Sequence, residues 1–197
     1  MASILLDDRA DPPLRTVLGS LLARATTADF AISRLRLDGL DLAGGELGSI
    51  RRCRVLLGRL DARALEEMMG GHERGPVRRH HLHLLKNFLA SGRVEVRAAG
   101  IVTWNPDFSI LGGLHSAPAS TIALVGAHYF LRPYPIEGAA FTMAITDPEP
   151  VRRLHQRFDE LWDLGYDVGE VVRAALEQLD ADLADHDAPT TRPEHVI

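Results

Sequence analysis

AAFTMAITDPEPVRRLHQRFDELW, running from Ala139 to Trp162, sets a strand pattern directly against a helix pattern. Ala139 to Thr146 reads as a strand. Asp147-Pro148 then opens a helix. An aspartate oxygen accepts one of the orphan backbone N–H groups, and proline in the first turn gives up no hydrogen bond. Val151, Leu154, Phe158, Leu161 and Trp162 recur at three- and four-residue steps, which draws one apolar face. With charges on either side, Phe158, Leu161 and Trp162 read as core. Gly165 interrupts the helix. A last helix is predicted from about Asp167 to Asp185, with Val171, Val172, Ala175, Leu179 and Leu183 on one side.

Upstream, Asp11-Pro12-Pro13 opens a first helix carrying Leu14, Val17, Leu18, Leu21 and Leu22. Asp29 to Leu35 and Cys53 to Leu57 read as strands, the second stopped by Gly58. Asp61 caps a short helix through Met69, and residues 70–76 form a loop by composition. Val77 to Ser91 is a helix with Leu82, Leu85, Phe88 and Leu89 inward and Gly92 as its stop. Arg93 to Arg97, Asp107 to Leu111 and Thr121 to Val125 are strand candidates. Gly112 to Ser120, with its Gly, Pro and Ser, reads as the link between the last two. Helices and strands alternate, and several strands then follow together. This predicts an α/β fold: a single domain, residues 1–187, with a mixed central sheet flanked by helices on both faces, and a loose tail at 188–197.

Composition agrees with one globular domain. The chain has 197 residues, 46% apolar and 25% charged. Its single cysteine, Cys53, excludes an intrachain disulfide and points to a reducing, cytoplasmic compartment. The amino terminus lacks the pattern of a secretory signal, and no run of about 18 apolar residues suggests a membrane span. Net charge is −5, so nucleic acid is not a favoured partner. Of 22 basic residues only Lys86 is a lysine.

Several stretches together resemble the phospholipase D-like superfamily. Arg54-Val-Leu-Leu-Gly-Arg-Leu-Asp61 is similar to its early strand-Gly-Asp turn. Leu84 to Arg97 resembles the helix and strand ahead of its His-x-Lys strand. Ala123-Leu-Val-Gly-Ala-His-Tyr-Phe130 resembles the later Gly-Ser-x-Asn strand. Ala139 to Trp162 resembles its closing strand and helix. The resemblance implies phosphodiester cleavage by a histidine nucleophile and a second, acid histidine. Lysines and the Ser and Asn of the later strand would hold the phosphate oxygens. It also implies a two-fold homodimer with the half-sites near the interface.

The motif of His, any residue, Lys, four residues and Asp is absent, because the sole lysine is Lys86 and position 84 is leucine. Where His-x-Lys falls in the family, this chain has Asn105-Pro106-Asp107-Phe108-Ser109-Ile110. Where Gly-Ser-x-Asn falls, it has Gly126-Ala127-His128-Tyr129. The expectation is a degenerate domain without a catalytic set, binding a protein partner or a phosphate-bearing ligand through Asn105, Ser109, Gly126 and His128. The alternative is a hydrolase of altered mechanism built on His128, Asp107 and His115.

Other constellations are weaker. His80 and His83 share a helix face, but no third ligand follows at familiar spacing, so no metal and no cofactor are expected. His72-Glu73-Arg74 sits in a glycine loop, and His155-Gln156-Arg157 lies inside the late helix. No Gly-x-Ser-x-Gly elbow or Gly-Lys-Ser/Thr loop occurs. A further expectation is that the last helix, with Asp180, Asp182, Asp185 and Asp187 beside an apolar stripe, packs on a partner.

Overall fold

The computed structural model describes residues 3–7, 14–33, 47–58, 60, 76–100, 107–114, 117–126 and 141–187. Eight strands form one mixed sheet: β1 (Ser3–Asp7), β2 (Thr27–Ile32), β3 (Arg52–Leu57), β4 (Val94–Ala98), β5 (Phe108–Leu114), β6 (Ala117–Gly126), β7 (Phe141–Ile145) and β8 (Tyr166–Asp167). Their order across the sheet is β1-β7-β6-β5-β2-β3-β4-β8. The β2–β3 and β3–β4 pairs are parallel and every other pair is antiparallel. Among the described residues, the α-helices α1 (Leu14–Arg24), α2 (Pro76–Ala90), α3 (Pro148–Leu164) and α4 (Gly169–Asp187) cover it unequally.

The pleat sends alternate residues to opposite faces. Ala28, Phe30 and Ile32 of β2 join Cys53, Val55 and Leu57 of β3 on one face, against Leu18 and Leu22 of α1, Leu82 and Leu85 of α2, and Val172 and Leu176 of α4. Ala31, Leu56, Phe108, Ile110 and Ala123 form the other face and meet α3, through Val151, Phe158, Leu161 and Trp162. Helices therefore lie on both faces of one sheet, three against one among the described residues.

Most periodic segments fold as their patterns predict, within a residue or two at each end; the strand predicted over Asp29 to Leu35 is Thr27–Ile32, with 34–35 outside the described residues. The stretch 112–120 differs. It is not a link: Gly112 to Leu114 complete β5, and Ala117 to Ser120 begin β6. A register shift between Gly112 and Leu114 marks a bulge, and Gly113 has φ 64°. A Cβ on Gly113 would lie 1.9 Å from Thr26 Oγ1, and one on Gly112 2.6 Å from Thr27 Oγ1. These glycines admit a close backbone approach inside the sheet, where the sequence suggested a turn. On α4, Leu176 is buried and Val171 is half exposed, so the apolar stripe is rotated from the predicted one. That stripe packs within the chain, and Lys86 of α2 binds Asp180 at 2.7 Å. The predicted helix at 61–69 and the tail at 188–197 lie outside the described residues.

Candidate functional site

One row of residues crosses the sheet at the C-terminal ends of β2 and β3. Ala31 is in register with Phe108, and Phe108 with Val125, so Asp107 and Gly126 sit one step further out on the same rim. The Gly126 N–H donates to the Asp107 carbonyl at 3.0 Å. The Asp107 carboxylate accepts the Ser33 N–H at 2.8 Å, and the Gly58 N–H donates to the Ile32 carbonyl at 2.9 Å. Gly126 has φ 133°, a conformation that side chains with a Cβ rarely adopt. Asp107 and Gly126 are thus brought together. Ser109 is elsewhere: it is 1% exposed, between Phe30 and Leu124 in register, on the sheet face opposite α3. Asn105, His115 and His128 lie outside the described residues.

A second cluster lies beneath α3. Asp29 of β2 and Arg54 of β3 are register partners on neighbouring parallel strands, and both point to the α3 side. Arg54 Nε and Nη2 donate to the two Asp29 oxygens at 2.7 and 2.8 Å. Its Nη1 reaches Asp159 Oδ1 at 2.9 Å. Asp159 follows His155 by one helical turn. His155 Nε2 lies 3.3 Å from Asp29 Oδ2, and its Nδ1 3.2 Å from Asp159 Oδ2. The Arg54 guanidinium also lies 4.7 Å from the Phe158 ring centroid and 5.4 Å from that of Trp162, which stack on each other. The Asp29 hydrogen bonds, above all, hold the Arg54 guanidinium more firmly protonated than usual.

Asp29 is buried, at 3% exposure, and a buried carboxylate needs such partners. The cluster is therefore a clamp of helix to sheet. Both ring nitrogens of His155 face carboxylates, Asp29 at 3.3 Å and Asp159 at 3.2 Å. Sequence reading placed Asp29 in a strand and His155 in a helix but did not join them. Their only shared signal was apolar flanks around a charged residue.

Beside the clamp runs a groove of about 820 Å³ between α3, β6 and the end of β7. Thr121 and Thr146 line its sheet side, and Arg152, Gln156, Asp159 and Asp163 its helix side. His80 and His83 are exposed on α2. Among the described residues, no group of three His, Cys, Asp or Glu side chains is placed to hold a metal ion.

The chain matches no protein-family model and no curated protein. Solved structures do match. The phospholipase D family member Nuc from Salmonella typhimurium aligns over 84% of this chain and 97% of its own, with TM-score 0.52 at 12% identity. The fold is phospholipase D-like. NucT from Helicobacter pylori aligns over 84% of this chain and 98% of its own, with TM-score 0.46 at 9% identity. TrmBL2, described as an archaeal chromatin protein with a novel mode of DNA binding, aligns over 85% of this chain and 54% of its own, with TM-score 0.49 at 12% identity. In this phospholipase D-like domain, no described helix is long and apolar enough to cross a membrane.

Proposed function

We propose that this phospholipase D-like domain has lost phosphodiester cleavage and acts by binding, as a two-fold pair of identical chains. One observation carries the reading. Asp107 falls in the stretch where the family resemblance sets the His-x-Lys strand, and its carboxylate is held at the sheet rim by the Ser33 N–H. A phosphoryl group in transfer gathers negative charge and is stabilised by fixed cations. A carboxylate at that point has the opposite sign. The stretch Asn105 to Ile110 holds neither histidine nor lysine, so it offers no comparable nucleophile or cation.

The rim around Asp107 and Gly126 is suited to holding a partner or a phosphate-bearing ligand without cutting it. A reducing cytoplasmic setting fits the single thiol, Cys53, which is buried. The test is turnover of a chromogenic phosphodiester, bis(4-nitrophenyl) phosphate, by the purified chain with and without added divalent metal. No release of nitrophenol is expected. Turnover abolished by His128→Ala would replace this reading with that of a hydrolase using His128.

A further inference from the structure

We propose that the N-terminal ends of β2, β3 and β4 form a binding surface for the phosphate backbone of a double-stranded nucleic acid, held without regard to base sequence. The surface lies at the opposite end of these strands from the rim at Ser33, Asp107 and Gly126, and the inference does not depend on what that rim does.

Parallel pairing sets the N-terminal ends of the three strands side by side. Arginines gather there. Arg52 opens β3 in register with Thr27, the first residue of β2. Arg51 precedes it, and its backbone N–H donates to the Thr26 carbonyl at 2.8 Å. Arg93 precedes β4, and its carbonyl accepts the Cys53 N–H at 2.8 Å. Arg24 ends α1, just ahead of Thr26. Arg24, Arg51 and Arg52 are exposed and Arg93 is half-buried.

The chain leaves these charges unmatched. Arg54, Lys86, Arg152, Arg153, Arg157 and Arg173 each pair with a carboxylate. Among the described residues, Arg24, Arg51, Arg52 and Arg93 have no carboxylate partner. Arg24 Nε donates to the Ser20 carbonyl of its own helix at 3.0 Å, and Arg93 Nη1 to the Gly48 and Ile50 carbonyls at 3.2 and 2.9 Å. A carbonyl steadies a guanidinium and leaves its charge and its other N–H groups for an anion. Glu95, the described acid closest along β4, stands in register with Arg54, further up the strand than Arg52. The net charge of −5 therefore does not describe this end of the sheet.

Width and composition decide the partner. Strands lie about 4.8 Å apart, so the row from β2 to β4 spans about 10 Å before the side chains reach out. Duplex DNA carries a negative charge about every 1.7 Å of its axis, and a row this wide meets several phosphates at once. The guanidinium fork matches phosphate oxygens in pairs. Unpaired bases would ask for aromatic rings to stack on, but the exposed ring among the described residues is Tyr166, beside Ala98 at the far end of β4. A membrane surface would ask for apolar side chains among the cations. The exposed Ile4, Leu5, Met143, Leu164 and Val171 lie instead on β1, β7, α3 and α4.

Fluorescence anisotropy of a labelled duplex of about 20 base pairs, titrated with the full chain over a salt series, tests this, with circular dichroism as the folding control. Two duplexes of unrelated sequence are expected to bind equally at about 50 mM salt, with log affinity falling by about 3 to 4 per unit of log salt concentration. Arg51→Gln and Arg52→Gln should each weaken binding at least about threefold and lower that slope by about 1. Arg153→Gln, an equal charge change on the exposed side of α3, should alter neither. Absence of binding at low salt, or equal losses in all three variants, overturns the surface. Binding to phosphatidylserine vesicles that Arg51→Gln and Arg52→Gln abolish, with no binding to either duplex, overturns the nucleic-acid partner in favour of a membrane.

Discussion

Arg54 and Asp29 face each other across the β2–β3 ladder, joined by two hydrogen bonds of 2.7 and 2.8 Å under the stacked rings of Phe158 and Trp162. The pair ties the helix on one side of the sheet to the parallel strands at its centre. Its removal by halves should be costly. Arg54→Ala leaves Asp29 buried, keeping only its contact with His155, and should destabilise by about 3 kcal/mol in urea unfolding. Arg54→Ala with Asp29→Ala should cost less than the sum of the two single changes. Simple additivity would show that the pair does not act as a unit.

The bulge glycine gives a sharper comparison. Gly113 and Gly92 have nearly the same φ, 64° and 69°, but a Cβ on Gly92 meets nothing within 4 Å. Gly92→Ala should cost about 1 kcal/mol, from backbone strain alone. Gly113→Ala adds a clash with Thr26 and should cost at least about 2 kcal/mol more. Equal losses would mean that Thr26 moves aside freely.

Glu149 should leave a signature in acid. Hydrogen bonds from Arg152, then Arg153, hold its carboxyl down from 4.5 to about 2. A depressed carboxyl contributes stability that is present above its ordinary value and lost as pH falls toward the folded one. The melting temperature of the wild type should exceed that of Glu149→Gln at pH 7, and the gap should close between about 4.5 and 2. The pair is fully exposed, so added salt should narrow the gap at neutral pH.

Cys53 is fully buried, and burial first, with the charge of Asp29 second, pushes its thiol well up. Iodoacetamide at pH 8 should leave the folded chain unmodified and alkylate it only in denaturant. Rapid labelling of the native protein would mean that β3 opens readily.

The sequence carried the repeating patterns and little of the lateral detail. The closing helix was legible because Asp147 caps it and its apolar residues keep a helical step, and Asp147 Oδ1 accepts the Glu149 N–H at 3.3 Å. The phospholipase D-like arrangement was legible from the order of such segments. The Asp29–Arg54–Asp159–His155 clamp was not, since it depends on which strands lie side by side, and nothing local encodes that. Gly112 and Gly113 misled because a glycine that admits a neighbouring threonine side chain looks the same in sequence as one that turns a chain. β1 and the two-residue β8 were missed as edge strands, too short or too plain in pattern to announce themselves. At the rim, Gly126, expected to bind ligand, and Asp107, expected in the alternative hydrolase reading, lie together, whereas Ser109, expected beside Gly126, is turned into the core.

The pairing of Ser3 with Ile145 sets an order of events during synthesis. Among the described strands, β1 is made first and its hydrogen-bonding partner, β7, is made seventh of eight. Until that partner is made, SILLD must wait unzipped, its leucines open to any competing edge. A nascent chain stalled before β7 should therefore recruit chaperones, and one stalled after α3 should release them.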